Sequence, residues 1–156
     1  MNKLFTSVVP SLLLAASALL AMPAHAQSTS ASAPAPTSSA LFDTFGGKAG
    51  LARLMDDFMV RLLADPRTGP HFKPANQQRV KDQLVDQFCV VLGGPCVYKG
   101  ADMKSSHANL DITKSDFNAL VEVLQQAMDA QGIAFGAQNQ LLAALAPMHR
   151  DVITVK

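Results

Sequence analysis

The chain has 156 residues, of which 49% are hydrophobic and 16% are charged. Its 13 basic and 12 acidic side chains give a formal net charge of +1, with no basic stripe and no interleaved aromatic residues. This balance argues against a protein that binds nucleic acid. The length allows one small domain with a single hydrophobic core.

The first 26 residues have the pattern of a secretory signal peptide. Lys3 supplies the charged start, the run from Val8 to Met22 is apolar, and Ala24-His25-Ala26 is an A-x-A cleavage site. The alternative is an uncleaved membrane anchor, but the apolar run contains Pro10 and is short for a spanning helix. We predict cleavage after residue 26, export to the periplasm or the exterior, and no other contact with a membrane.

Cleavage would remove Lys3 and no acidic residue, so that twelve basic and twelve acidic side chains would remain. Residues 27–40 are rich in serine, alanine and proline and carry no charge and no large apolar side chain. Such a segment buries too little surface to offset the entropy lost on ordering. We therefore predict a disordered linker over residues 27–40 and a folded domain over residues 41–156.

Helical periodicity runs through the whole domain and predicts an all-α fold. A short helix around residues 41–45 should end at Gly46-Gly47, and a second helix should end at Asp65-Pro66. Residues 67–76 contain one glycine and two prolines and are predicted to be irregular. Pro147 should interrupt the last helix. The apolar stripes are Leu51, Met55, Phe58 and Leu62; Val80, Leu84 and Phe88; Phe117, Leu120, Val121, Leu124 and Met128; and Leu141, Leu142, Leu145, Met148 and Val152.

One histidine stands out in the segment from residue 92 to residue 116. Gly93-Gly94 should end the helix before it, and Thr113 with Asp116 forms a capping signal for the helix after it. His107 lies between these two signals. A histidine presented on a short segment can be an axial ligand of a metal cofactor. From the spacing alone, an ordinary surface histidine is the more common outcome.

Several motifs in this order resemble the truncated globins of group 1, whose helices pack two over two. They are LFDTFGGKAGL, DDF, HF, LGGP, Y-x-G-x-x-M-K-x-x-H and ITKSDF, and they span residues 41–153. The string LVDQ-x-C-x-x-x-GGPC looks like a proteobacterial subset that carries two cysteines. The resemblance implies that the domain is a two-over-two helical sandwich around haem.

The implied cofactor is haem b, with His107 as the proximal ligand of the iron, because a neutral imidazole is a good ligand for haem iron. No C-x-x-C-H motif is present, which excludes c-type attachment. His149 lies near the position of a histidine that attaches covalently to haem in cyanobacterial relatives, but its register appears shifted by one residue. The resemblance also implies that the haem pocket is lined by Phe72, Val80, Leu84, Phe88, Met103, Ile112, Phe117 and Val121, each of which could instead be an ordinary core residue.

The haem propionates need donors or cations at the mouth of the pocket. Arg79 and Tyr98 are the main candidates, and Lys99 and Lys104 are further ones. Exposed charges more often face solvent, so this assignment stays open.

The expected distal ligand pocket consists of Phe58, Met59, Gln83 and Leu84. It departs from the family, because many relatives have tyrosine at the position of Met59 and glutamine at that of Leu84. Neither replacement can donate a hydrogen bond, which leaves Gln83 as the one obvious donor unless it faces solvent. Since such a bond stabilises oxygen by roughly 1–3 kcal/mol, we predict weak oxygen binding. Alternatively, the Met59 thioether could be a sixth ligand of the iron.

Cys89 and Cys96 are the two cysteines of the chain. Cys89 falls in the last turns of a predicted helix, and Cys96 follows the reversal at Gly93-Gly94-Pro95. This arrangement, together with export to an oxidising compartment, predicts a disulfide that closes a small loop. Two separate buried thiols are the alternative.

These observations predict a haem protein that binds oxygen, nitric oxide or carbon monoxide outside the cytoplasm, with a role in oxygen binding or transport. The alternatives are an enzyme of nitric oxide detoxification, which would need an external reductase, and an electron carrier with Met59 on the iron. A helical binding module without cofactor is a fourth reading. The sequence makes no prediction about oligomeric state.

Overall fold

The computed structural model describes residues 38–155. The predicted signal peptide and most of the predicted linker lie outside the described residues. Within residues 38–155 the regular secondary structure is all helical, and no strand is present. The helices are α1 (Ser38–Thr44), α2 (Gly47–Ala64), α3 (Gly69–Phe72), α4 (Gln77–Val91), α5 (Met103–His107), α6 (Lys114–Ala130), α7 (Phe135–Leu145) and α8 (His149–Val152), with a 3-10 turn at Ala146–Met148 between the last two.

Helix α1 begins at Ser38, three residues before the start of the short helix predicted around residues 41–45. Leu41 and Phe42 of this helix pack against the hydrophobic core, which stabilises a turn that the polar composition alone would not support. The predicted stop after α1 is confirmed. Gly46 and Gly47 have φ angles of 76° and 62°, a left-handed backbone that glycine adopts without steric cost.

The segment predicted to be irregular, residues 67–76, contains one helical turn, α3. Pro70 lies in the first turn of α3, where its missing N–H group costs nothing. Thr68, which is 2% exposed, donates a hydrogen bond of 2.8 Å from its hydroxyl to the carbonyl oxygen of Leu62. The prediction was wrong because this turn is held by contact with the end of α2, which periodicity does not report.

Side chains cap the starts of α4 and α6, and the cap of α6 was predicted from the sequence. Asn76 accepts a bond of 3.0 Å from the backbone N–H of Arg79 at the start of α4. At the start of α6, the Thr113 hydroxyl accepts from the backbone N–H of Asp116, and the Asp116 carboxylate accepts from the backbone N–H of Thr113. This confirms the predicted capping box.

The last predicted helix is interrupted, as expected, around Pro147. The backbone changes from α7 to a 3-10 turn and then to α8, so Pro147 lies at the start of a new turn, where no intrahelical N–H bond is lost. After this change of direction, Met148 and Val152 line the same internal cavity as Leu142 and Leu145 of α7.

The four longest helices are α2, α4, α6 and α7. Helix α2 packs against α4 and α6, and α7 packs against both α4 and α6. Side chains at the centre are almost fully buried, and burying each large one contributes roughly 1.5–3 kcal/mol. None of the described helices is both long and apolar enough to cross a membrane. The most buried side chains of the core are Leu51, Leu54, Met55, Leu62, Leu92, Val123, Leu124, Met128 and Leu141.

Candidate functional site

A large cavity lies beside this core and has a volume of about 1020 Å³. Residues from α2 to α8 line it, and most of its surface is apolar. A volume of this size is at the upper end of the range for small-molecule and cofactor sites. The fold therefore provides space for a ligand considerably larger than a metabolite of a few atoms.

Most of the predicted pocket residues lie on the wall of this cavity. The members of the predicted haem and distal sets that line it are Phe58, Phe72, Val80, Gln83, Leu84, Phe88, Tyr98, Met103, His107, Ile112, Phe117 and Val121. Arg79 and Met59 do not contact it.

His107 is the last residue of α5, and its ring has a defined orientation. Its Nδ1 atom lies 2.7 Å from the carbonyl oxygen of Met103, one helical turn earlier. Because a carbonyl oxygen only accepts hydrogen bonds, Nδ1 carries the hydrogen, and the neutral tautomer that makes this bond has its lone pair on Nε2. A backbone carbonyl that holds the other ring nitrogen in this way is a regular feature of histidines that bind metals.

Helix α5 is itself held at its start. The carboxylate of Asp102 accepts bonds of 2.8 Å from the backbone N–H and from the hydroxyl of Ser105. These bonds lower the pKa of Asp102 below its ordinary value, with the backbone bond as the largest cause. The cap explains why five residues form a helix at all, and so positions His107.

Met59 is placed differently from the expectation drawn from the family resemblance. It is 4% exposed, but it does not line the cavity, although its neighbour Phe58 does. Met59 lies one helical turn from Met55 and Leu62, which are both core residues. In the described structure Met59 is buried and is not among the residues that line the cavity.

On α4 the cavity face carries Val80, Gln83, Leu84 and Phe88. Gln83 is half-buried and reaches the cavity, so the alternative that it faces only solvent is not what the structure shows. Leu84 offers only hydrocarbon at the same level. At the level of Leu84, the amide donor on α4 is Gln83, and a second amide, Gln87, lines the cavity one turn further along.

The candidates for propionate binding are distributed differently from the prediction. Arg79, Lys99 and Lys104 are exposed and do not line the cavity, because each lies on a solvent-facing side of its segment. Tyr98 lines it, and its hydroxyl donates a bond of 2.8 Å to the carbonyl oxygen of Ala101. Burial raises the pKa of Tyr98, with the charge of Asp102 as a smaller cause, so the phenol is a neutral donor.

Sequence reasoning missed a histidine–aspartate pair at the cavity. His71 of α3 and Asp116 of α6 both line it, and His71 Nε2 lies 3.7 Å from Asp116 Oδ2. Hydrogen bonds from Thr113 are the main cause of a lowered pKa at Asp116, and the charge of His71 lowers it further. His71 precedes Phe72 directly, but no sequence signal links it to a residue of α6.

Sequence reasoning also missed Gln87, which is 9% exposed and lines the cavity one turn after Gln83. Its Nε2 lies 3.5 Å from the sulfur of Met103 and 3.4 Å from that of Met148. Gln87 is four positions after Gln83 and three after Leu84. This helical spacing would have predicted that it lies on the same face of α4.

Cys89 and Cys96 form a disulfide with Cα atoms 5.8 Å apart. It joins the end of α4 to the segment that leads to α5. Gly94 lies between them, and a Cβ at this position would come 2.7 Å from the Cys89 sulfur, which explains a residue without a side chain. The disulfide thus shortens the covalent path between α4, which carries Gln83, and α5, which carries His107.

Comparison with known proteins defines the class. A family model described as "Bacterial-like globin" matches residues 40–154. The group 1 truncated hemoglobin GlbN of Mycolicibacterium paratuberculosis is 33% identical over 114 residues, covering 73% of this chain and 84% of that protein. The group 1 truncated hemoglobin of Tetrahymena thermophila is 31% identical, covering 60% of this chain and 78% of its own length.

Solved structures agree on the fold. The truncated hemoglobin of Tetrahymena pyriformis in its Fe(III) form superimposes with a TM-score of 0.70 at 24% identity, covering 72% of this chain and 97% of that one. The group II truncated hemoglobin of Bacillus anthracis gives a TM-score of 0.63 at 21% identity, covering 78% and 93%. The chain belongs to the bacterial-like globin family, which confirms the predicted truncated, two-over-two fold.

Globins bind haem, and the cavity fits this cofactor. Its volume, its apolar walls and an imidazole with a free Nε2 match a flat apolar ring that carries one iron. His107 would hold the iron, and Phe72 and Phe117 would contact the ring. Tyr98 and His71 are polar groups at the cavity wall. Haem iron supplies an open coordination position that binds a diatomic gas.

Proposed function

We propose that this globin binds oxygen, or nitric oxide or carbon monoxide, at haem iron held by His107. The observation that carries the proposal is the bond of 2.7 Å between His107 Nδ1 and the carbonyl oxygen of Met103. It directs a neutral imidazole with a free Nε2 into a cavity large enough for haem. Of the described histidines that line this cavity, His71 is instead engaged with Asp116.

We further propose that the protein works outside the cytoplasm. The signal-peptide pattern of residues 1–26 supports this, and so does the disulfide between Cys89 and Cys96, because disulfides persist in oxidising compartments. Fractionation of cells that express the full chain tests it. Recovery of the protein in the cytoplasm, with residues 1–26 still attached, would contradict export.

The residues around the ligand favour rapid exchange of gas over tight oxygen storage. Leu84 cannot donate a hydrogen bond, Gln83 is only half-buried, and the amide of Gln87 lies against the sulfurs of Met103 and Met148. A neutral hydrogen bond contributes roughly 1 kcal/mol, so weak donation by Gln83 should leave oxygen loosely held. The proposed role is therefore binding and transfer of a gas and not its long-term retention.

Absorption spectra of the purified, haem-loaded protein test the central proposal. A Soret band whose position changes on reduction and again on addition of carbon monoxide is expected. Failure of the ferrous protein to bind carbon monoxide would overturn the proposal. Stopped-flow mixing of the oxygenated protein with nitric oxide then distinguishes a carrier from a dioxygenase-like enzyme, which would need an external reductase for repeated turnover.

A further inference from the structure

Two methionine sulfurs converge on one buried amide at the side of the cavity. The Nε2 atom of Gln87 lies 3.5 Å from Met103 Sδ and 3.4 Å from Met148 Sδ. A thioether is a weak acceptor, so this amide donor is buried without a strong partner. The contact joins α4 to α5 and to the 3-10 turn, three elements that are separate in sequence.

The same three residues also face the surface. Gln87, Met103 and Met148 line a second, shallow groove of about 210 Å³, together with Val90 and Asp102. Both sulfurs therefore lie between the large cavity and a groove that a small solute can enter.

The remaining methionines of the described part are shielded. Met55, Met59 and Met128 are 1%, 4% and 0% exposed, whereas Met103 and Met148 are only partly buried. Oxidation of methionine follows exposure of the sulfur. A small polar oxidant that reached this domain would thus meet Met103 and Met148 first.

We propose that Met103 and Met148 form an oxidation site for hydrogen peroxide or a small hydroperoxide, and that Gln87 holds the sulfoxide oxygen. A lone pair of the thioether sulfur attacks one peroxide oxygen, forming the S–O bond while the O–O bond breaks. The bond electrons and the proton of the transferred oxygen go to the departing oxygen. Sulfur is oxidised by two electrons, the peroxide is reduced, and a sulfoxide and water (or an alcohol) result.

The Gln87 amide is suited to this reaction because its nitrogen carries two N–H groups and lies close to both sulfurs. A donor placed where negative charge develops stabilises the transferring oxygen, and the sulfoxide is a much stronger acceptor than the thioether. Oxidation would also place a polar group in the cavity wall one turn before His107. The proposal concerns the sulfurs alone and holds whichever gas the iron binds.

The test uses haem-loaded, ferrous protein under carbon monoxide, so that peroxide reaches the sulfurs without first reacting at the iron. Peptide mass spectrometry after addition of hydrogen peroxide follows the gain of one oxygen at each methionine. We expect Met103 and Met148 to react before Met55, Met59 and Met128. In Gln87→Leu, their oxidation should slow about fivefold, the factor that one neutral hydrogen bond supplies.

Two further variants distinguish the loss of the N–H donor from a change in side-chain packing. Gln87→Glu keeps the shape but removes the N–H donor when ionised, so it should slow oxidation as Gln87→Leu does. Gln78→Leu removes an amide of the same helix that donates to Asp82, far from any sulfur, and should change nothing. Circular dichroism checks that each variant is folded.

Equal oxidation of all methionines, or unchanged rates in both Gln87 variants, would overturn the proposal. Absence of a Soret band before the experiment would count against the proposed haem function instead. The methionine rates would still be measured on the protein as purified, so the two failures are distinguishable.

Discussion

His107 Nδ1 and the carbonyl oxygen of Met103 lie 2.7 Å apart within the single turn of α5. This bond connects the local backbone to the chemistry of the cavity, because it determines which ring nitrogen is free. It also depends on α5 being formed, which the Asp102 cap ensures. Orientation of the imidazole is therefore a property of a five-residue helix and its cap.

The first prediction concerns His107 itself. His107→Gly should abolish stable haem binding, because no other described residue presents a free imidazole nitrogen to the cavity in this way. Added imidazole should enter the vacated space and restore a Soret band. The measurement is haem titration of the variant with and without imidazole.

His149→Phe is the matched control for His107. The ring of His149 packs edge-on against Phe117, with centroids 5.6 Å apart, and phenylalanine preserves this contact. This variant should keep its haem, and acid–acetone extraction should remove the haem completely from the wild type. Loss of haem in His149→Phe, or haem that resists extraction, would show that His149 has a direct role.

The second prediction concerns the donor that Leu84 lacks. Leu84→Gln places an amide on the cavity face of α4 and should slow oxygen dissociation about tenfold, since one good hydrogen bond to the ligand contributes roughly 1–3 kcal/mol. Leu84→Met, which has similar volume and no donor, should leave the rate near that of the wild type. An equal change in both variants would mean that packing controls release.

The third prediction concerns coordination of the iron. Because Met59 does not line the cavity, the ferrous protein without gas should have the spectrum of five-coordinate, high-spin haem. Met59→Leu keeps the side-chain volume and should not alter this spectrum. A six-coordinate, low-spin spectrum that Met59→Leu converts to high spin would instead establish the thioether as a ligand.

The sequence predicted the features of the fold that depend on neighbouring residues. The positive φ angles at Gly46 and Gly47 and the capping box of Thr113 and Asp116 are local effects, and each gives a recognisable signal. The family motifs extended this to the two-over-two architecture. The turn of α3, the early start of α1 and the five-residue helix α5 were missed. The first two depend on tertiary contact, and α5 depends on the cap at Asp102.

The site was less predictable where its partners are distant in sequence. Gln87 contacts sulfurs 16 and 61 residues away, and the His71–Asp116 pair joins α3 to α6. Periodicity identifies the face of a helix but not what lies opposite that face. For Met59, the resemblance predicts a place in the distal pocket, whereas in the described structure the residue is buried and does not line the cavity.

The fourth prediction concerns the disulfide. Replacing Cys89 and Cys96 together by serine should lower the free energy of unfolding by about 2 kcal/mol, because closing even a short loop restricts the unfolded chain. Urea denaturation of the variant and of the wild type, with and without reductant, measures the difference. Reductant should destabilise only the wild type, and equal stability of the two proteins would contradict the prediction.

The fifth prediction concerns the response of α6 to acid. The pKa of Asp116 is lowered from its ordinary value of 3.8, first by hydrogen bonds from Thr113 and then by the charge of His71. A lowered pKa in the folded state means that the carboxylate stabilises the fold above its ordinary pKa. This stabilisation is lost as the pH falls through the lowered value.

Asp116→Asn should therefore be less stable than the wild type at neutral pH, by about 1 kcal/mol for a weakened helix cap. The difference between the two proteins should shrink as the pH falls below 3.8, because acid neutralises Asp116 only in the wild type. Urea denaturation across this range measures it. Asp43→Asn, at an exposed position of α1, is the control and should follow the wild type more closely. A difference between Asp116→Asn and wild type that stays constant into acid would show that the carboxylate charge contributes nothing to the cap.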